Sequence, residues 1–238
     1  MLRRQNLGGL DCVVTGADDG PVVVLLHGYG ASGDDLVPLA REVEAGPLRW
    51  VFPAAPLALA SGYGDGRAWW EIDLAALEAA LSAGVARDRS TEVPPGLASA
   101  RAQVLALLDA LPDALGPRAV RPVLGGFSQG AMLACDVALR SPRALAGLAL
   151  LSGTLLAAHE WTPLMPARRG LDVFVSHGTH DPLLPFDQAE RLCAELRAAG
   201  VAIDWAPFSG AHEIPPLVLA RLEAFLARVT ACALAALV

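Results

Sequence analysis

The sequence predicts one α/β domain over residues 1–238, with a mostly parallel central sheet flanked by helices on both faces. Three observations predict it. Short apolar runs at 21–26, 120–124, 171–175 and 201–206 have the length and composition of buried strands. Helix-like stretches alternate with them, as at 131–140, with no composition break to set off a second domain. The runs lead into loops rich in Gly, His, Ser and Asp, and α/β proteins place functional groups outside the carboxyl ends of their strands. A chain of 238 residues is long enough to bury a substantial core as one such unit.

The run at 120–124 leads into Gly126-Phe127-Ser128-Gln129-Gly130, and the helix-like stretch from Ala131 follows. This is a G-x-S-x-G turn in the strand-to-helix context that lifts a serine into an exposed, strained position. Glycines two residues to either side suit a turn too tight for a Cβ, and Gly125 loosens the approach further. The following helix aims its first amides and the positive end of its dipole at the place where an oxyanion would form. Ser128 is therefore the candidate nucleophile.

A serine nucleophile needs a histidine base and an acid to orient it, and in this kind of fold they follow in the order Ser, Asp or Glu, His. Four histidines lie downstream: His159, His177, His180 and His212. Asp181 follows the run at 171–175, in the loop expected at 176–182, and His212 follows the run at 201–206. Only His212 combines a loop after a strand, a glycine two residues earlier and the correct order after Asp181. His177 and His180 precede Asp181, so His177 reads as a loop histidine bonded to a backbone carbonyl. His159, in a polar loop, reads the same way. Asp172 reads as a strand start, and Asp187 as a first-turn helix residue favoured by the dipole.

An oxyanion hole takes two backbone amides. One belongs to Gln129, the residue after the nucleophile, and the other to the loop after an early strand. That strand is the run at 21–26, and His27-Gly28-Tyr29-Gly30 follows it, which makes the Tyr29 amide the second donor. His27 precedes the serine and ends a buried strand, so it reads as a structural histidine holding the loop. Asp34 and Asp35 precede 36–40 and read as helix N-caps.

His27-Gly28-Tyr29-Gly30, Gly126-Phe127-Ser128-Gln129-Gly130-Ala131, His177-Gly178-Thr179-His180-Asp181-Pro182 and Gly210-Ala211-His212-Glu213 together resemble the signature blocks of the phospholipase/carboxylesterase family. That branch of the α/β-hydrolases includes bacterial carboxylesterases and acyl-protein thioesterases. The blocks span residues 27–213, nearly the whole chain. Phe52-Pro53-Ala54-Ala55-Pro56 and Arg67-Ala68-Trp69-Trp70-Glu71-Ile72 resemble further family segments. The resemblance implies a single α/β-hydrolase domain, with Ser128 as nucleophile, Asp181 as acid, His212 as base and Tyr29 and Gln129 as oxyanion donors. It also implies that Trp69 and Trp70 contribute to the wall of the acyl-binding site.

Composition removes other chemistries. The formal net charge is −7, and all 18 basic residues are arginine. With no lysine there is no P-loop lysine, Schiff-base lysine or Ser-Lys dyad, and an acidic chain without a basic patch argues against nucleic acid as a partner. No metal-ligand spacing appears among the histidines and cysteines, so neither metal nor other cofactor is expected. Cys12, Cys135, Cys193 and Cys232 form no C-x-x-C pair, and three of them sit in apolar surroundings, as reduced buried thiols do. The basic start of the chain lacks an apolar run behind it, so a secretory signal is not expected and the protein reads as cytoplasmic. The apolar end at 231–238 is too short for stable membrane insertion, and reads either as the packed end of a helix or as a contact surface in a homodimer. Residues 65–96, whose part from 74 onward is least regular, read either as a cap near the site or as a surface excursion.

These readings converge on a serine carboxylesterase acting on a small-molecule ester through an acyl-enzyme. The bulk of Trp69 and Trp70 favours short to medium acyl chains, roughly four to eight carbons. The same machinery would serve a lysophospholipase or acyl-protein thioesterase, and a non-catalytic binding module would keep the fold alone.

Overall fold

The computed structural model describes residues 2–59, 64–84 and 88–235. Its strands are β1 (Arg3–Leu7), β2 (Leu10–Gly16), β3 (Val22–Leu26), β4 (Arg49–Pro53), β5 (Leu57–Ala58), β6 (Arg67–Ala68), β7 (Val123–Phe127), β8 (Gly147–Leu151), β9 (Asp172–Gly178) and β10 (Ala202–Phe208). The helices are α1 (Leu39–Glu42), α2 (Leu74–Ser82), α3 (Leu97–Leu115), α4 (Gln129–Arg140), α5 (Ala158–Trp161), α6 (Phe186–Ala198) and α7 (Pro216–Ala235). An eight-stranded sheet runs in the order β1-β2-β4-β3-β7-β8-β9-β10, and β5 pairs with β6 apart from it. From β4 to β10 along that sheet every pairing is parallel, while β1 and β2 join at one edge by antiparallel ladders.

The central strands read as continuous apolar runs because both faces are covered. Along β3, Val22, Val24 and Leu26 pack with α3 and α4 on one face, while Val23 and Leu25 pack with α1 and α7 on the other. Period-two alternation thus serves two cores at once, and the chemistry-bearing loops all leave from the carboxyl edge.

Several expected boundaries move, each for a physical reason. The strand before Ser128 is Val123–Phe127, not 120–124. Pro122 has no N–H for the ladder, and Val120 lies half-exposed after the short 3₁₀ turn Pro117–Ala119. Gly125 and Gly126 belong to the strand itself. A Cβ on Gly125 would lie 2.7 Å from the Ala149 carbonyl oxygen, so that glycine answers close packing and does not loosen an approach. The helix behind the serine begins at Gln129, two residues earlier than expected.

Strand β9 runs on through His177 and Gly178, because β10 keeps pairing with it as far as Phe208 opposite Gly178. His177 is therefore a strand residue, not a loop residue. Asp34 and Asp35 are not helix caps: α1 starts after Pro38, and Asp34 pairs with Arg4 on the exposed surface. His159 lies in the short helix α5. Of the 65–96 segment, 65–84 and 88–96 are described, and they supply the β6 strand, helix α2 and the turns that lead into α3.

Candidate active site

Ser128 stands between β7 and α4 at φ 55° and ψ −117°. This left-handed backbone costs a non-glycine residue on the order of 1–3 kcal/mol and needs its surroundings to hold it. Here the Ser128 amide donates to the Leu151 carbonyl at 2.8 Å, while its own carbonyl accepts from Ala131 and Met132 at 3.0 and 3.1 Å. The flanking glycines are sterically required. A Cβ on Gly126 would lie 2.4 Å from the Gly130 carbonyl carbon, and one on Gly130 would lie 2.1 Å from the Leu26 oxygen. Gln129, the first residue of α4, has a backbone amide that the helix itself leaves unused.

Asp181 and His212 come together from the ends of β9 and β10. A Cβ on Gly178 would lie 2.1 Å from the Ala211 oxygen, so the glycine lets the His212 loop cross directly over the strand end. His212 Nδ1 lies 2.6 Å from Asp181 Oδ2. With Nδ1 donating to the carboxylate, the other ring nitrogen carries the basic lone pair. Asp181 Oδ1 accepts from the amides of Leu183 at 2.8 Å and Leu184 at 3.0 Å. Burial by itself would raise the Asp181 carboxyl. The His212 hydrogen bond and charge, with the two amides, outweigh it and hold the carboxyl below the usual carboxylate range. The His212 ring packs on Phe127 at 4.8 Å between centroids, and Ser152 Oγ donates to the Glu213 carbonyl at 3.3 Å.

His177 was legible only as a bonded histidine, and it is more closely placed than that. Its side chain is fully buried, with Nε2 3.0 Å from the Leu184 carbonyl and 3.3 Å from Asp181 Oδ2. Burial pushes its imidazole below the ordinary histidine value. A neutral His177 thus donates its Nε2–H to the Leu184 carbonyl and packs against the Asp181 carboxylate.

His27 holds the loop that bears Tyr29. Its Nδ1–H donates to the Gly28 carbonyl at 2.8 Å, and its Nε2 accepts from the Ala55 amide at 3.0 Å. Burial also lowers this imidazole, and with both nitrogens engaged His27 has no lone pair left for catalysis. Tyr29 lies two residues beyond it and lines the same cavity as Ser128, Gln129 and His212.

That cavity has a volume of about 630 Å³. Its apolar walls come from Ile72, Leu74, Leu77, Val93, Met132 and Leu183, and its lip carries Asp35, Glu71, Asp73 and Arg89. Parts of the 65–96 segment, which reads from sequence either as a cap near the site or as a surface excursion, therefore border the cavity. Trp70 lines the cavity, but Trp69 does not. Both rings are buried, and the chain bends at Trp69 and Trp70 just past β6, so Trp70 borders the cavity while the Trp69 indole turns to the His27 carbonyl. Trp69 is a correction to the pairing of the two as an acyl wall.

The remaining candidates lie apart. His159 and His180 are exposed, Asp172 pairs with Arg228 at 2.5 Å, and Asp187 sits in the first turn of α6. Burial pushes the Cys12 and Cys193 thiols up to about 12 and raises Cys135 as well, so none is an activated nucleophile. Among the described residues no group of three or more potential ligands could hold a metal, and no helix is long and apolar enough to cross a membrane.

Comparison with known proteins adds an independent line. Residues 11–230 match the family model described as Phospholipase/Carboxylesterase. Acyl-protein thioesterase 1 of Schizosaccharomyces pombe is 30% identical over 168 residues, covering 68% of this chain and 69% of that protein. Carboxylesterase SOBER1 of Arabidopsis thaliana is 26% identical over 214 residues, covering 87% of this chain and 89% of its own. The crystal structure of esterase PE8 superposes with a TM-score of 0.77 at 27% identity, over 91% of this chain and 97% of that one.

Proposed function

Because this chain belongs to the phospholipase/carboxylesterase family, a family of serine hydrolases acting on ester bonds, we propose that it is a carboxylesterase working through Ser128, His212 and Asp181. The observation that carries the assignment is the 2.6 Å contact between His212 Nδ1 and Asp181 Oδ2, beside a cavity that Ser128 and His212 both line. His212 takes the Ser128 hydroxyl proton as the oxygen attacks the ester carbonyl. The tetrahedral oxyanion accepts hydrogen bonds from the amides of Tyr29 and Gln129. His212 then gives its proton to the leaving alcohol, and water repeats the sequence on the acyl-enzyme to release the acid.

Short to medium acyl chains suit the site, a reading that now rests on Trp70 alone. Its buried ring bounds the cavity beside the nucleophile. Each buried methylene is worth about 0.8 kcal/mol, so kcat/KM climbs with chain length until the wall is met. The relative named an acyl-protein thioesterase keeps longer acyl thioesters as the second reading.

A fluorophosphonate probe tests the first claim. Wild-type protein should label at Ser128, and Ser128→Ala should lose both labelling and about 10⁴-fold or more in kcat. A folded Ser128→Ala protein that kept a tenth of the turnover would place the nucleophile elsewhere. A p-nitrophenyl ester series from acetate to palmitate, below micelle-forming concentrations, tests the second. The optimum should fall at roughly four to eight carbons and move to longer chains in Trp70→Ala. A monotonic rise to palmitate would favour the thioesterase reading.

A further inference from the structure

The two amides assigned to the oxyanion hole stand on different elements. Gln129 opens α4, whereas Tyr29 sits in a loop beyond the last residue of β3. Strands β3 and β7 pair as far as Leu26 opposite Gly126 and no further. Past that point the loop contains Gly28 and Gly30, the latter at φ 81°, and glycine gives a backbone maximal freedom. Something else has to set the distance between the two donors.

A chain of buried hydrogen bonds does so. The Gln129 side chain is buried and both of its ends are used. Oε1 accepts from the Trp69 amide at 2.9 Å, and Nε2 donates to the Trp70 carbonyl at 2.8 Å. Trp69, itself buried, turns its indole Nε1–H to the His27 carbonyl at 3.0 Å, with the two rings 5.6 Å apart between centroids. His27 is the residue from which the Tyr29 loop departs, and the Gly30 amide also returns to this segment, at the Arg67 carbonyl, 2.9 Å away. The path runs from the residue bearing one donor, through the 69–70 backbone, to the loop bearing the other.

We propose that Trp69 and the Gln129 side chain form a strut that positions the two oxyanion donors relative to each other. The proposal rests on the reading of Ser128 as an ester-cleaving nucleophile. Trp69 and the Gln129 carboxamide are positioning groups and touch no reacting atom. Rigidity is what matters here. Oxyanion stabilisation depends on donors already aimed at the site where charge develops, and a displacement of the order of 1 Å is costly. An amide side chain bonded at both ends and an indole bonded through its single N–H have little freedom to drift.

The test compares Trp69→Phe and Gln129→Met with Trp161→Phe. The first removes the indole donor and keeps an aromatic ring; the second removes the clamp and keeps the backbone amide. Trp161 makes a similar buried bond, Nε1 to Asp136 Oδ1 at 2.8 Å, away from the cavity, so it controls for stability loss. Both strut variants should lose about ten- to a hundredfold in kcat on a p-nitrophenyl ester, with KM within about twofold of wild type. Their affinity for a trifluoromethyl ketone, which forms an oxyanion on the serine, should fall by the same factor as kcat/KM. Trp161→Phe should lower the melting temperature with kcat within about twofold of wild type. If one strut variant fails to fold, the other carries the test. Folded variants with wild-type kcat and ketone affinity overturn the strut, as does a change confined to KM. Wild-type protein that neither labels nor turns over any ester overturns the esterase reading beneath it, an outcome visible before any strut variant is made.

Discussion

Asp136 and Asp181 are both carboxylates without exposed side-chain surface, yet they are built for opposite purposes. Asp136, in the middle of α4, is surrounded by fixed donors: Arg101 at 2.7 Å, Arg140 at 2.9 Å and the Trp161 indole at 2.8 Å. Two guanidiniums that never release a proton leave it nothing to do but hold α3, α4 and α5 together. Among the described residues no arginine pairs with Asp181. Two amides, His212 and the buried, neutral His177 surround it, and of the two imidazoles His212 is the one that reaches the cavity. Burial with a charged neighbour therefore does not identify a catalytic acid. What identifies it is a partner whose protonation can change, placed where substrate can reach it.

The largest expected effect follows from exchanging the same atoms at the two sites. Asp181→Asn should cost about 10⁴-fold in kcat, because an amide neither favours the required His212 tautomer nor stabilises the imidazolium. Asp136→Asn should leave kcat per folded molecule nearly intact. It should instead cost about 3 kcal/mol of folding free energy, by taking the carboxylate from Arg101 and leaving Arg140 with Glu160 alone in a largely buried site. Urea midpoints and active-site titration, measured on both variants, separate the two losses. A mild Asp181→Asn with a damaging Asp187→Asn would move the acid into α6.

Acid should act on the candidate site in two windows. Burial depresses the folded-state values of His27 and His177 below the ordinary 6.5, so below that pH the unfolded chain binds protons that the folded chain refuses. Stability therefore falls as pH drops beneath 6.5, by at most about 1.4 kcal/mol per pH unit for each histidine. Asp181 is depressed below 3.8, so its contribution is present above that pH and is lost as pH falls through the folded value. The urea midpoint should decline between about pH 7 and pH 5, and less steeply in His177→Gln. A flat midpoint over that range would mean that both imidazoles charge freely in the folded protein.

The smallest effect belongs to the cavity lip. Asp35, Glu71 and Asp73 face it, against an Arg89 whose Nε already lies 2.9 Å from Glu92 Oε2. Esters of a cationic alcohol should be favoured over anionic counterparts of similar size by a few-fold at low ionic strength, and the preference should shrink towards 0.5 M salt. Equal kcat/KM values for the two esters at low salt would remove the lip from specificity.

How much of this was legible depended on how local the cause was. The turn around Ser128 is dictated by residues 126–130, where the flanking glycines meet neighbouring backbone at contact distance, and such constraints show in the sequence as a spacing. The chain order of Ser128, Asp181 and His212 was readable too, because each follows a strand and parallel strands deliver their carboxyl ends to one edge. Strand limits were less legible. Pro122 and the continued pairing of β9 with β10 moved them, and the second of these depends on a partner strand far along the chain.

The sequence by itself determined the α/β layering, the tight turn that carries Ser128 and the placing of Asp181 and His212 after later strands, because these follow from hydrophobic periodicity and from steric limits spanning a few residues. Only the tertiary structure decided which tryptophan faces the cavity, that His177 stands behind Asp181, and that Gln129 clamps a segment 60 residues distant. Those facts rest on which side of a strand or loop a group points to and on hydrogen bonds closed between remote segments. Sequence spacing carries no record of either.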